Sequence, residues 1–192
     1  MTTRTAPQRS NRGSAVPAAA SSAHWVAGRW ALDAANSTLQ ISVKVGFVAT
    51  VTGRFTDLHG HVDLAENLAD SQIAVEVQTT SLTSGSSHWD SVLWGAGLID
   101  SATNPTLSFE STGLSAAGSG WTLAGLLVTE KGCLPAQFNL QCVSETTDRI
   151  RFRATGSLAS KDAVRLLSQP GVDRLIGKSM SVDLVVEAVR VR

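Results

Sequence analysis

Two of the chain's four histidines stand one residue apart in the stretch GRFTDLHGHVDL, residues 53–64. His59, His61 and Asp63 are donor types that can hold zinc. A structural zinc site takes four ligands, a catalytic one at least three, with further groups orienting them. On a β-strand, residues 59, 61 and 63 share one face, and Leu58, Gly60, Val62 and Leu64 the other. The apolar face must turn to the core, so the histidines meet solvent or another chain. A solvated face and half of a metal site are both open readings. His24 and His88 are too distant in sequence to be assigned as further ligands, and no metal is expected.

Other chemistry-bearing groups are scattered. GVDRLIGKS, residues 171–179, ends like a phosphate loop, but five residues separate Gly171 from Gly177 where that loop needs four. A strand pattern rather than a helix follows it. Arg149, Arg151 and Arg153 line one strand face, which is either solvated or a place for an anionic head group. Asp33, Asp90, Asp100 and Asp162 have no visible partner base. Cys133 and Cys142 are the only cysteines and form no CxxC; two semi-buried thiols are expected, with a bridge left open. No nucleophile elbow, zinc-protease motif or dinucleotide fingerprint occurs. No catalytic residue and no resident cofactor is expected.

Composition narrows the class further. Lys+Arg and Asp+Glu balance at 16 each, so there is no electrostatic reason to expect a nucleic acid partner. No run of 18 apolar residues spans a membrane. Residues 1–24 are rich in Ser, Thr, Ala and Arg and hold no acid; they read as a disordered tail, with a faint likeness to a transit peptide. Lacking a secretory apolar stretch, the protein is expected in the cytoplasm. The 192-residue length suits one domain, residues 25–192, after this tail.

The elements that would position these groups are strands. Leu39, Ile41, Val43 and Val45 alternate with polar residues, and so do Ile73, Val75 and Val77. Leu107 with Phe109, then Trp121, Leu123, Gly125 and Leu127, then Phe138, Leu140 and Cys142, repeat the pattern. Ile150, Phe152 and Ala154 oppose the arginines, and Met180, Val182, Leu184 and Val186 close the series. Period 2 marks half-buried antiparallel strands, about eight or nine of them. The fold class is all-β, a sandwich or barrel. Two helices are expected. One lies in SSHWDSVLW, with Ser87 and Asp90 as a capping box and Trp89, Leu93 and Trp94 on one face. The other is Lys161 to Leu167, stopped by Pro170-Gly171.

WALDAANS, ISVKVGF, VTGRFTDLHGHVDL, SLTSG, WDSVL, LID, NPTLSFES and IGKSMSVDLVVEA follow one another in an order and spacing that resembles the YceI-like family of lipocalin-like, polyisoprenoid-binding proteins. The likeness runs from about Trp30 to Val191. It implies an extended antiparallel eight-stranded barrel with a packed helix. It also implies a long apolar tunnel holding an isoprenoid or similar lipid chain, and a homodimer as a candidate assembly. Asn36, Val45 and Trp89 stand where the family has polar or charged groups, His, His and Arg. Near the second helix, Leu158 to Val164 lacks the family's Arg and Phe-Gly.

The residues expected to line the tunnel are Leu39, Ile41, Val43, Phe55, Val75, Val77, Leu93, Leu98, Phe109, Leu123, Leu127, Leu140, Phe152, Val182 and Leu184. Plain core packing uses the same pattern, since a small barrel is wide enough either to fill itself or to hold one small ligand. Three functions follow: a non-enzymatic carrier of an isoprenoid or fatty acyl lipid; a filled barrel acting through its surface; an enzyme on an apolar substrate using Asp90 or Asp162, which would need a perturbed pKa. The first is the leading expectation. Gly60, inward between the histidines, leaves room for a bend or a ligand.

Overall fold

The computed structural model describes residues 26–45, 49–172 and 176–192. The expected tail lies outside them. Among the described residues alternating burial builds eleven strand segments, joined by two α-helices and three short 3-10 turns. The segments are β1 (Gly28–Leu32), β2 (Thr38–Val45), β3 (Ala49–Phe55), β4 (Leu58–Leu64), β5 (Gln72–Gln78), β6 (Leu82–Thr83), β7 (Thr106–Ala117), β8 (Gly120–Thr129), β9 (Gly132–Glu145), β10 (Arg149–Ala159) and β11 (Ile176–Arg190). The helices are α1 (Ser87–Gly95) and α2 (Ser160–Leu167).

The pairing register reduces eleven segments to eight strand positions. β1 and β2 pair in turn along one edge of β11, Trp30 opposite Arg190 and Ile41 opposite Val182. They therefore form one interrupted strand. β3 and β4 run back along β2 and β1, and β5 and β6 pair with β4 and β3. All pairings are antiparallel, and β1 against β11 closes the barrel. The first interruption is pinned. The buried Ser37 hydroxyl donates to the Asp33 carbonyl at 2.8 Å and accepts from the Glu187 amide at 3.0 Å.

The arginine face of β10 is neither bare nor simply solvated. Arg153 makes a two-pronged pair with Asp183 of β11, at 3.0 and 2.6 Å. Arg149 donates to both Glu187 and Asp33. The row of like charges is a cross-strand ladder with the acids beside it, the arrangement that stabilises neighbouring strands. Arg151, between Arg149 and Arg153, lies 3.9 Å from Glu187.

Both expected helices form, with two corrections at α1. Ser86 caps it rather than Ser87, and no capping-box bond forms. Asp90 reaches back instead: its carboxylate accepts from the Ser84 hydroxyl and amide and, at 2.9 Å, from the Thr83 hydroxyl. Nor do Trp89 and Trp94 share the buried face with Leu93; both are exposed, at 40% and 36%. The second helix begins one residue earlier than expected, at Ser160, and buries Ala163, Val164, Leu166 and Leu167.

One barrel end is closed where α2 meets the segment 96–105. Lys131 donates to Asp100 and to the Ser168 carbonyl, each at 2.8 Å. The Ser168 hydroxyl donates to the Leu98 carbonyl, and the Asp100 amide to that of Leu167 at 2.7 Å. Both cysteines are free thiols; Cys133 is exposed rather than semi-buried. Among the described residues no helix is long and apolar enough to cross a membrane.

Candidate functional site

The inward faces of the strands do not fill the barrel completely. They leave an internal cavity of about 90 Å³. Along β11 its wall runs from Met180 to Val186, and along β10 from Phe152 to Leu158. Six residues of strand at about 3.3 Å each, tilted about 35–45° as strands of a small barrel are, carry the wall roughly 15 Å along the barrel axis. The lumen is therefore long and thin. Leu158, Leu167 and Ile99 line it toward the end that α2 closes; Leu32, Ile73 and Val62 line it toward the other. An apolar cavity of comparable size, about 150 Å³, stays dry and takes up apolar guests.

Twelve of the fifteen residues expected at the tunnel stand on this wall: Leu39, Ile41, Phe55, Val75, Val77, Phe109, Leu123, Leu127, Leu140, Phe152, Val182 and Leu184. Val43, Leu93 and Leu98 do not. They are buried beyond the lumen, where Leu93 packs near Gly53 and Leu82. Leu107, Phe138, Ala154, Met180 and Val186 also line the cavity and were legible as inward positions of the same alternation. Leu32, Val62, Ile73 and Leu158 carry that signal too. Ile99 and Leu167 do not, because they enter from a loop and a helix whose docking no local pattern encodes.

The chemistry-bearing residues stay outside. His59 Nε2 lies 2.8 Å from Asp57, and His61 Nε2 3.7 Å from Asp63. His61 borders the lumen, yet its side chain is 39% exposed on the outer face. Among the described residues no three His, Cys, Asp or Glu side chains converge as metal ligands would. Gly60 corrects the expectation of ligand room. A Cβ there would strike the Ala74 carbonyl and crowd the Val75 Cα at 3.1 Å, so its missing side chain lets β4 approach β5.

Among the described residues the lining holds no carboxylate, hydroxyl, thiol or amine, and His61 is its one titratable group. Asp90 and Asp162 are both elsewhere. The hydrogen bonds from Ser84, and then from Thr83, hold the Asp90 carboxyl below the usual carboxylate range. Burial, and then the charge of Glu145, push the Cys142 thiol up, away from the reactive thiolate.

A closed antiparallel barrel around an apolar lumen coincides with a family match: the YceI-like domain model covers residues 30–188. The chain belongs to the YceI-like family. Solved structures of similar fold include Burkholderia cenocepacia BcnA, at 15% identity and a TM-score of 0.69, with 81% of this chain and 98% of that one covered. A polyisoprenoid binding domain from Saccharophagus degradans, implicated in plant cell wall breakdown, aligns at 17% identity and a TM-score of 0.61, over 84% and 98%. The Campylobacter jejuni YceI protein aligns at 14% and 0.62, over 78% and 90%. No curated protein matches the sequence. At these identities the likeness carries the YceI-like fold and leaves the ligand to the lumen's own chemistry.

Proposed function

We propose that this YceI-like protein is a non-enzymatic carrier that sequesters one long-chain apolar lipid, of the isoprenoid or fatty acyl kind, in its lumen. One observation carries the reading. A cavity whose wall runs about 15 Å along the barrel axis is lined almost wholly by aliphatic and phenyl side chains, with His61 the only polar residue among the described ones on its border. Such a wall recognises carbon, and each buried CH₂ contributes about 0.8 kcal/mol. A chain of many carbons then needs few polar contacts. His61, the one titratable group on the described lining, keeps its side chain partly exposed beside Asp63, and no described carboxylate or nucleophile joins it there, which supports carriage over catalysis. The Saccharophagus degradans protein of the same fold, described as a polyisoprenoid binding domain, supports the ligand class.

The narrowness of the lumen favours a second reading, a filled barrel acting through its surface. Extraction of the purified protein with organic solvent, followed by mass spectrometry, separates the two. A co-purifying lipid, or a tryptophan fluorescence change on adding long-chain isoprenoid alcohols, is the expected result. A clean extract with no fluorescence response would sink the carrier. Cytoplasmic residence and a homodimer are further proposals. The homodimer is supported by the dimers common in the resembled family. Cell fractionation and light scattering test them.

A further inference from the structure

The lumen is not uniform along its length. Phe109 of β7 and Phe138 of β9 meet inside it as an edge-to-face pair, centroids 5.5 Å apart and planes at 74°. That is a preferred geometry for two aromatic rings. Each ring lies over an inward glycine of the next strand. A Cβ on Gly125 of β8 would collide with the Phe109 ring, and one on Gly156 of β10 would sit 2.7 Å from Phe138 Cδ1. Four adjacent strands thus present ring, glycine, ring, glycine. The glycines make the space in which the rings lie.

The pair is not an end wall. Along β8 the lining continues on both sides of Gly125, at Leu127 and Leu123. Along β10 it continues on both sides of Gly156, at Leu158 and Ala154. We infer that Phe109 and Phe138 form a constriction partway along the lumen and are the residues that select ligand chain length. This rests on the carrier reading above. A chain short enough to stop at the rings binds without moving them. A longer one must push both rings aside, and the glycine seats behind them, already filled by the rings, leave them nowhere to retreat.

The test is a binding series with ten-, fifteen- and twenty-carbon isoprenoid alcohols, on the full chain and on Phe138→Leu and Phe109→Leu. Leucine keeps the position apolar and shortens it, and either variant suffices should the other fail to fold. The expected result is that the ratio of twenty- to ten-carbon affinity rises at least about tenfold in a folded variant. Gly156→Ala, which drives Phe138 further into the lumen, should move the ratio the other way. Should the wild type bind the series while the folded leucine variants keep its chain-length profile, the selector is overturned and the carrier stands. Should the wild type bind none of the alcohols, both fall.

Discussion

Asp90 shows how a residue with chemical potential is taken up by structure. Three donors from Thr83 and Ser84 converge on its carboxylate, and its pKa is lowered by them, Ser84 first. A folded pKa below the unfolded value means that the contribution to stability is present above about pH 4 and is lost as the pH falls through the folded pKa. Asp90→Asn removes the charge and leaves the shape. It should lower the melting temperature at neutral pH by roughly 2–4 °C, the shift expected in a domain of this size when charge-assisted hydrogen bonds from the segment before α1 are weakened. The difference from wild type should close in acid, as the pH falls through the lowered pKa and the native carboxyl is itself protonated. Thermal unfolding at both pH values checks this, and a gap that persists in acid would remove the charge from the explanation. The same lowered pKa leaves Asp90 a poor general acid at neutral pH.

At the scale of elements, the barrel is made of long strands cut at chosen places. The period-2 alternation made the inward set readable, because a half-buried strand sorts side chains by face whatever its partners. It located Leu39, Ile41, Phe109 and Leu184 on the lumen wall. It could not show that β1 and β2 occupy one strand position, since only the pairing of each with β11 reveals that. Nor could it tell lumen from core: Val43 and Leu93 alternate or repeat like their neighbours but are buried off the lumen wall. Gly60 illustrates the same limit. Sequence marked it as a place without a side chain, and the structure assigns that space to the backbone of β5. Gly60→Ala should therefore destabilise the fold by about 1–3 kcal/mol, the cost of forcing a methyl into a packed site. Denaturant unfolding should show an earlier midpoint with lipid binding retained. A variant of unchanged stability but weakened binding would return Gly60 to the ligand.

On the carrier reading proposed above the whole molecule is a container, so the decisive substitution is one that fills it. Ala154 is 4% exposed and stands on the lumen wall, between Phe152 and Gly156 on the inward side of β10. Ala154→Phe places a ring in the channel. If the lumen is a ligand site, an isoprenoid alcohol at a hundred times its dissociation constant stabilises the wild type by about 2.7 kcal/mol. At roughly 2–4 °C per kcal/mol for a domain of this length, the melting temperature rises by about 5–10 °C. The filled variant should melt at the same temperature with and without the lipid. If the lumen is only imperfect packing, neither protein responds, and the added ring changes stability alone. A response of equal size in both would place the ligand outside the barrel, on a surface where the exposed Trp89 and Trp94 offer apolar area. The three outcomes are separated by one pair of melting curves per protein, and only the first is compatible with a lipid held between the strands.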